Sequence, residues 1–245
     1  LRAKMESTII DYQQQQHEPI RKSSSQVEVC AAADETFFDQ VMLVMLDLPS
    51  GYIFVEEITE NCTFETWQQR VSLALKPLGL KLRYLVSDRA KAIVKLALND
   101  LGTPSIADLF HVLYDLNRSI AWELNCLGSR LQKQLKMGQE KGTKPELIAQ
   151  IETNQRILQQ SRLTYENCCH RLSTCLHPFD INQNIPQTTE IVSTGLLQIL
   201  QTLQNVRQTH KLKDPRNGIR KLKNQIESLS AVVDLWWSWV DQCLA

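Results

Sequence analysis

The chain has 245 residues, with 27 basic and 27 acidic side chains, so its formal net charge is zero. A chain of this length can bury a substantial core, as one large domain or two smaller ones. Neutrality excludes the overall positive charge that by itself indicates nucleic-acid binding, so a DNA partner would need a local basic surface. Seven cysteines without a regular spacing predict reduced thiols in a cytoplasmic protein. No apolar run reaches the length of a membrane span.

The first 111 residues divide into two segments of different composition, 1–26 and 27–111. Residues 1–26 carry a glutamine run and a serine run without apolar periodicity, which predicts a linker or the remnant of an upstream region. Residues 27–111 then predict an α/β half-domain, because short apolar runs alternate with amphipathic stretches. The predicted strands are 27–38, 41–47, 52–57, 82–86 and 105–107, and the predicted helices are 64–76 and 90–98. This order, β-β-β-α-β-α-β, is that of an RNase H-like mixed sheet.

Residues 112–245 predict a separate helical domain. The helices are expected at 110–136, 143–176, 191–210 and 215–244, joined by short connections that favour an antiparallel arrangement. In the second of them, residues 147, 151, 154, 158, 161, 165, 168, 172 and 175 form a heptad-like seam. Thr143 and Glu146 predict a capping box at its start.

Two apolar strands of the first half end on aspartate, at Asp34 and at Asp88. A carboxylate at the end of an apolar strand is costly unless a cation compensates it, and a divalent ion shared with a second carboxylate is one solution. The alternative is structural, because Asp is a common strand-end and helix N-cap residue. Glu35 is a rival for Asp34, but strand alternation directs it to the other face, which favours either a supporting role behind the metal ligands or a structural role.

The order of three short strings adds a family resemblance. Residues 33–38, 84–92 and 108–112 resemble DDE-class insertion-sequence transposases, in particular those with an all-helical insertion before the third catalytic carboxylate. Residues 177–180 and 234–237 resemble parts of that insertion. In order, Asp34 and Asp88 match the first two catalytic carboxylates, and Asp108 with His111 matches the motif after the fifth strand. The chain resembles the central part of such an enzyme, truncated at both ends.

The resemblance implies an activity and its partners. The full enzyme would cut and join DNA with Mg²⁺ or Mn²⁺ held by Asp34 and Asp88, acting as a homo-oligomer on transposon ends and target DNA. The third carboxylate would lie beyond Ala245, so this chain by itself is expected to be inactive. Possible DNA contacts are Arg89, Lys91, Lys95, Trp236 and Trp237, although solvated or core positions are the commoner role of such residues.

The same residues are also compatible with a different class of function. His111 is as well explained by burial at the start of a helix as by a place near the carboxylates. A non-catalytic remnant or interaction protein, whose helical half binds a partner, would keep Asp34 and Asp88 without using them. A third carboxylate on a downstream helix would distinguish the two classes.

Overall fold

The structure is a computed structural model that describes residues 28–37 and 39–244. It divides into two compact units between Asp108 and Leu109. The sequence prediction set this boundary after residue 111, and the predicted linker at 1–26 lies outside the described residues. The first unit is a mixed α/β unit and the second is helical, in agreement with the predicted order of element types.

Within the described residues, the first unit contains five strands and two α-helices. In chain order they are β1 (Glu28–Phe37), β2 (Val41–Asp47), β3 (Ile53–Thr59), α1 (Phe64–Leu75), β4 (Lys81–Ser87), α2 (Lys91–Lys95) and β5 (Ser105–Ala107). A 3₁₀ turn at Lys76–Leu78 extends α1, and a π turn at Leu96–Asp100 extends α2. Each predicted strand and helix of this half is confirmed within a few residues.

The five strands form one mixed sheet in the order β3-β2-β1-β4-β5. The first three strands are an antiparallel meander, whereas β1, β4 and β5 run parallel to one another. Parallel neighbours need crossover connections, and α1 and α2 lie in those connections. The carboxyl ends of β1, β4 and β5 therefore meet at one edge of the sheet.

One face of this sheet carries the core of the first unit. Strand alternation directs Ala31, Ala33 and Leu85 to that face, and all three are buried. Trp67, from α1, is fully buried in the same cluster. The small alanines of β1 leave room for this large ring, which is why the strand is rich in alanine at its centre.

The second unit is built from helices only in its described part. They are α3 (Leu109–Leu116), α4 (Trp122–Glu140), α5 (Pro145–Thr174), α6 (Thr189–His210) and α7 (Gly218–Leu244), with a π turn at Asn117–Ala121 between α3 and α4. Consecutive helices from α4 to α7 pack on one another, and α7 also packs on α3. Helices α5 and α6 are antiparallel. Arg171 is hydrogen-bonded to Gln198, whereas Ser161, earlier in α5, is hydrogen-bonded to His210, later in α6.

The seam predicted on α5 is confirmed in its C-terminal half. Its buried residues are Leu158, Ser161, Tyr165, Cys168 and Leu172, whereas Leu147 near the start of the helix is exposed. The seam therefore begins about three turns into α5, and the first turns contribute less to the core.

The four predicted helix starts of this unit differ from the observed ones by one to three residues, and the structure gives a local cause for two of these differences. The capping box at Thr143 does not form, because Lys144 precedes Pro145 and is extended, so Lys144 becomes the N-cap without a side-chain bond. The last helix begins at Gly218 rather than at 215. The Asp214 carboxylate accepts a hydrogen bond from Gly218 N at 2.7 Å and closes a turn before the helix.

Gly218 is required by a close approach between two helices. A Cβ at this position would lie 2.7 Å from the backbone oxygen of Asp115. The Lys221 ammonium, one turn later, is 2.6 Å from the Asp115 carboxylate. The start of α7 is thus fixed against α3 by a backbone contact that no other residue permits and by an ion pair.

A search for membrane-spanning helices in the described part of the chain finds none of sufficient length and apolar character.

The packing of α5 on α6 includes a histidine that predicts a pH dependence of stability. His210 Nε2 lies 2.8 Å from Ser161 Oγ, and burial holds the pKa of His210 below its ordinary value of 6.5. The unfolded chain then binds a proton more readily than the folded one. The contribution of His210 to the free energy of unfolding should fall as the pH decreases below about 6.5, and should not change with pH above that value.

Chemical denaturation of the wild type and His210→Gln at several pH values between 5 and 8 tests this. His210→Gln should lose part of the pH dependence of the free energy of unfolding. His170→Gln, at an exposed position of α5, should retain the full pH dependence. An unchanged dependence in His210→Gln would contradict the assignment.

Candidate functional site

The parallel pairing of β1 with β4 brings Asp34 and Asp88 to the same level. The register pairs Ala31 with Leu85 and Ala32 with Val86, so two residues further along each strand come the two aspartates. Neighbouring strands lie about 4.8 Å apart, which makes Asp34 and Asp88 lateral neighbours. The predicted adjacency of Asp34 and Asp88 agrees with this register, but Asp34 is not at the end of its strand, because β1 continues to Phe37.

A β-bulge sets this alignment. At the start of the two strands, Val29 pairs with Leu82, but the next pair is Cys30 with Tyr84, so Arg83 is an extra residue on β4. If Arg83 were paired with Cys30 and the bulge were absent, Asp34 would be level with Ser87, and Asp88 would fall on the other face of the sheet. The Arg83 guanidinium is held by the Glu28 carboxylate at 2.9 Å, and this bond keeps the pKa of Glu28 below its ordinary value.

Asp108 extends the row to the next strand. The last pair of β4 with β5 is Ser87 with Ala107, and Asp108 N then donates to Ser87 O at 2.7 Å. Asp88 and Asp108 are therefore level, as are Asp34 and Asp88. By alternation all three positions fall on the sheet face opposite to the Trp67 core, and the backbones of Asp34 and Asp108 are two strand spacings apart, about 10 Å.

The two predicted ligands are exposed and only partly used by local hydrogen bonds. Asp34 Oδ1 accepts from Glu35 N at 2.9 Å, and Asp88 Oδ1 accepts from Ala90 N at 2.7 Å. Within the described residues, the second oxygen of each carboxylate has no hydrogen bond. Each Asp thus keeps one oxygen that could bind a cation.

Glu35 lies on the opposite face and has a structural partner. Its Oε1 accepts a hydrogen bond from Trp67 Nε1 at 2.9 Å, which satisfies the polar atom of a fully buried ring. The sequence prediction of a structural role for Glu35 agrees with this bond.

Cys62 belongs to the surroundings of the carboxylates, and sequence reasoning did not single it out. Its pKa is raised, first by burial, then by a hydrogen bond to Glu35 and by the negative charges of Glu35 and Asp88. The thiol therefore stays protonated and unreactive at neutral pH. The sequence did contain a signal for its place. Cys62 directly precedes Thr63, the N-cap of α1, and the start of α1 lies near the carboxyl end of β1.

The predicted basic contacts are arranged differently from one another. Arg89 has a positive φ of 65° and donates from Nη1 to Ser105 O at 2.8 Å, so its side chain links the turn after β4 to the first residue of β5. Lys95 lies 3.8 Å from the centre of the Phe64 ring. Lys91 is exposed, without an ion pair to any described residue. Of the three, Lys91 has the side chain most available to a phosphate.

Trp236 and Trp237 form an aromatic cluster within the second unit. Both rings contact Phe179 edge to face, at centroid distances of 5.8 and 5.0 Å, and Trp237 Nε1 donates to Gln187 O at 3.0 Å. Each ring is partly buried. This arrangement favours the core role that the sequence left open for these tryptophans.

His111 is in the second unit, where its ring contacts that of Phe110 edge to face at 5.4 Å. Its predicted place near the carboxylates stays a prediction.

Within residues 28–37 and 39–244, no group of three or more His, Cys, Asp or Glu side chains is arranged to hold a metal ion. A metal at the aspartate row would thus be held by two protein carboxylates, with water as its remaining ligands.

The sequence matches no known protein family and no characterised protein. The candidate site accordingly depends on its own geometry.

The bond between Glu35 and Trp67 predicts that Glu35 acts in stability. Glu35→Ala leaves the buried indole N–H without an acceptor, and should lower the free energy of unfolding by about 1–3 kcal/mol. Glu35→Gln keeps an acceptor oxygen and should lose much less. Urea denaturation measures both, with Glu56→Ala, an exposed carboxylate of β3, as the control. Equal losses in the Gln and Ala variants would contradict this account.

Proposed function

We propose that the chain contributes the catalytic sheet of an enzyme that cuts and joins DNA by metal-dependent phosphoryl transfer, the reaction of DDE transposases. The observation that carries the proposal is the row formed by Asp34, which lies in the last part of β1, and by Asp88 and Asp108, which directly follow β4 and β5. Three unrelated structural aspartates have no reason to occupy the same level and the same face.

The strand order gives independent support. A sheet in the order β3-β2-β1-β4-β5, with only β2 antiparallel to the others around it, is the arrangement expected of an RNase H-like core. In an open α/β sheet, ligands bind beyond the carboxyl ends of the parallel strands. Asp34 and Asp88 lie near that edge, on β1 and directly after β4, which are neighbouring strands of the parallel part. The helical second unit would correspond to the insertion of the resembling family.

Each residue of the row has a distinct role in this proposal. Asp34 and Asp88 would hold Mg²⁺ or Mn²⁺, and Asp108 would orient water at the edge of the site. A bound divalent ion supplies charge stabilisation at the reacting phosphate and lowers the pKa of a coordinated water. Arg89, fixed between β4 and β5, keeps the turn after Asp88 in place. Lys91 offers a positive charge to the DNA backbone.

DNA ends, a DNA target and a homo-oligomeric assembly are the partners that this reaction requires. They enter the proposal through the resemblance, since the site itself indicates only an anionic substrate bound with a divalent cation.

A non-catalytic function is the second candidate, and one observation favours it. Both aspartates accept hydrogen bonds from backbone N–H groups one or two residues later, a common local role of Asp in turns. If that role is sufficient, the helical unit would carry the function as a protein-binding module.

Metal binding distinguishes the two candidates. Calorimetric titration with Mn²⁺ should detect one weakly bound ion, and Asp34→Asn or Asp88→Asn should weaken it by at least about tenfold, because each removes a direct ligand. Asn keeps an acceptor oxygen for the local hydrogen bond, so folding should not change. Asp39→Asn, in the connection between β1 and β2, is the matched control. Absence of binding, or equal binding by Asp34→Asn, would contradict the catalytic proposal.

A second measurement concerns the reaction itself. Two-metal phosphoryl transfer needs ligands for both ions, and among the described residues no three acidic or metal-binding side chains are placed so that together they could hold a metal ion. We therefore expect DNA cleavage by this chain, with Mg²⁺ or Mn²⁺, to stay at the level of Asp34→Asn. Clear cleavage that Asp34→Asn abolishes would contradict this expectation and would indicate a further ligand within the chain, with Glu123→Gln as the next variant to test.

A further inference from the structure

The second unit exposes an unusual row of aromatic side chains. Phe110 is 68% exposed, Tyr114 49% and Trp122 51%, and all three lie on the continuous helical stretch from α3 through the π turn into α4. Large aromatic rings usually contribute to a core or an interface, so three of them open to solvent on one stretch require an explanation. None of these residues belongs to the aspartate row.

The π turn aligns this row. In a regular α-helix, residues four apart advance by about 40° beyond a full turn, so a row with this spacing drifts around the helix. The turn at Asn117–Ala121 is wider, with Trp122 N bonded to Asn117 O, so a four-residue step there falls short of a full turn. The drift is thereby reversed, and Phe110, Tyr114, Arg118 and Trp122 share one face. We call these four residues the exposed stripe.

The exposed stripe combines ring faces with positive charge. The rings of Phe110 and Tyr114 lie within 22° of parallel at a centroid distance of 6.4 Å. Arg118, between Tyr114 and Trp122, is exposed and has no ion pair with any described residue. The nearest acidic side chain along the helix, Asp115, is neutralised by Lys221 at 2.6 Å. An occupant of this face therefore meets flat apolar surfaces and an unpaired cation.

We infer that the exposed stripe binds single-stranded nucleic acid, with unpaired bases stacked on Tyr114 and Trp122 and a phosphate bound by Arg118. Proteins that bind single strands without sequence preference combine these two elements, aromatic rings for the bases and basic side chains for the backbone. This inference goes beyond the proposed function, because it concerns another surface and does not depend on a metal ion.

A protein helix is the competing occupant, and the polar residues of this face argue against it. Helix docking requires apolar anchors that continue at every turn. On the same face, Asn117 and Arg118 interrupt the aromatic row, and Asn125 and Ser129 follow Trp122. These exposed polar side chains suit a hydrated, charged ligand better than an apolar helix face.

Fluorescence anisotropy with labelled single strands of twenty thymidines or twenty uridines tests the inference. The two strands distinguish a DNA ligand from an RNA ligand, and a duplex of the same length should bind more weakly than the better of them. EDTA in the buffer removes divalent metals, so the result is independent of the aspartate row. Tyr114→Leu and Trp122→Leu should each weaken binding about 5- to 100-fold, whereas Tyr114→Phe should bind like the wild type.

The controls separate stacking from apolar contact and from changes in folding. Leu keeps an apolar side chain without a flat ring, so its failure to replace Tyr114 assigns the effect to stacking. Trp239→Leu removes a tryptophan of similar exposure on α7 and should leave binding unchanged. Arg118→Gln should reduce the slope of log K against log salt concentration by about 0.7.

Two results would overturn the inference. One is that neither strand binds, or that both bind equally well to Tyr114→Leu and Trp122→Leu. The other is that these variants change self-association in sedimentation experiments while nucleic-acid binding is unaffected, which would identify the exposed stripe as a protein contact.

Discussion

The register of β1 on β4 is the constraint on which the rest of the candidate site depends. It is not set by the aspartates, which are exposed and carry no cross-strand bond to each other. It is set at the opposite end of the strands, where Arg83 forms a bulge and is bonded to Glu28. Because side chains alternate between faces, a register without this bulge, with Arg83 opposite Cys30, would exchange the two faces of β4 beyond that point. The bulge at Arg83, five residues before Asp88, therefore determines which carboxylates are lateral neighbours.

The first unit could be predicted largely from its sequence, because its strands are apolar runs bounded by turn residues and its helices have clear caps. It was also predictable that Asp34 and Glu35 lie on opposite faces of the sheet, since adjacent side chains of a strand alternate between the faces. The bulge at Arg83 was not predictable, because an extra residue on one strand leaves no mark in that strand's own pattern. The bond of Arg89 to Ser105 was not predictable either, since a side-chain contact between the turn after β4 and the start of β5 depends on the final positions of both strands.

In the second unit, periodicity predicted the helices and most of the α5 seam but not the accessibility of single aromatic residues. Trp237 and Trp122 both occur in amphipathic helical sequence, yet the first bonds to Gln187 beneath Phe179 and the second is half exposed. The difference arises from a loop, residues 175–188, that folds over α7 and provides Phe179 and Gln187. A loop of this kind has no period to read, so the distinction between a core ring and a surface ring requires the tertiary structure.

The exposure of Asp34 and Asp88 limits what their proximity implies. Two unit charges about 4–5 Å apart in water repel by only about 1 kcal/mol, and physiological salt reduces this further. The folded sheet can tolerate that repulsion without a cation, unlike a buried carboxylate pair, which would need one to fold. Metal binding at this edge should therefore be separable from folding, so that chelators change the activity of the site and not the stability of the sheet. The affinity then depends on how many further oxygens reach the ion, and Asp108, level with the pair and one strand away, is the nearest source of them in the sheet.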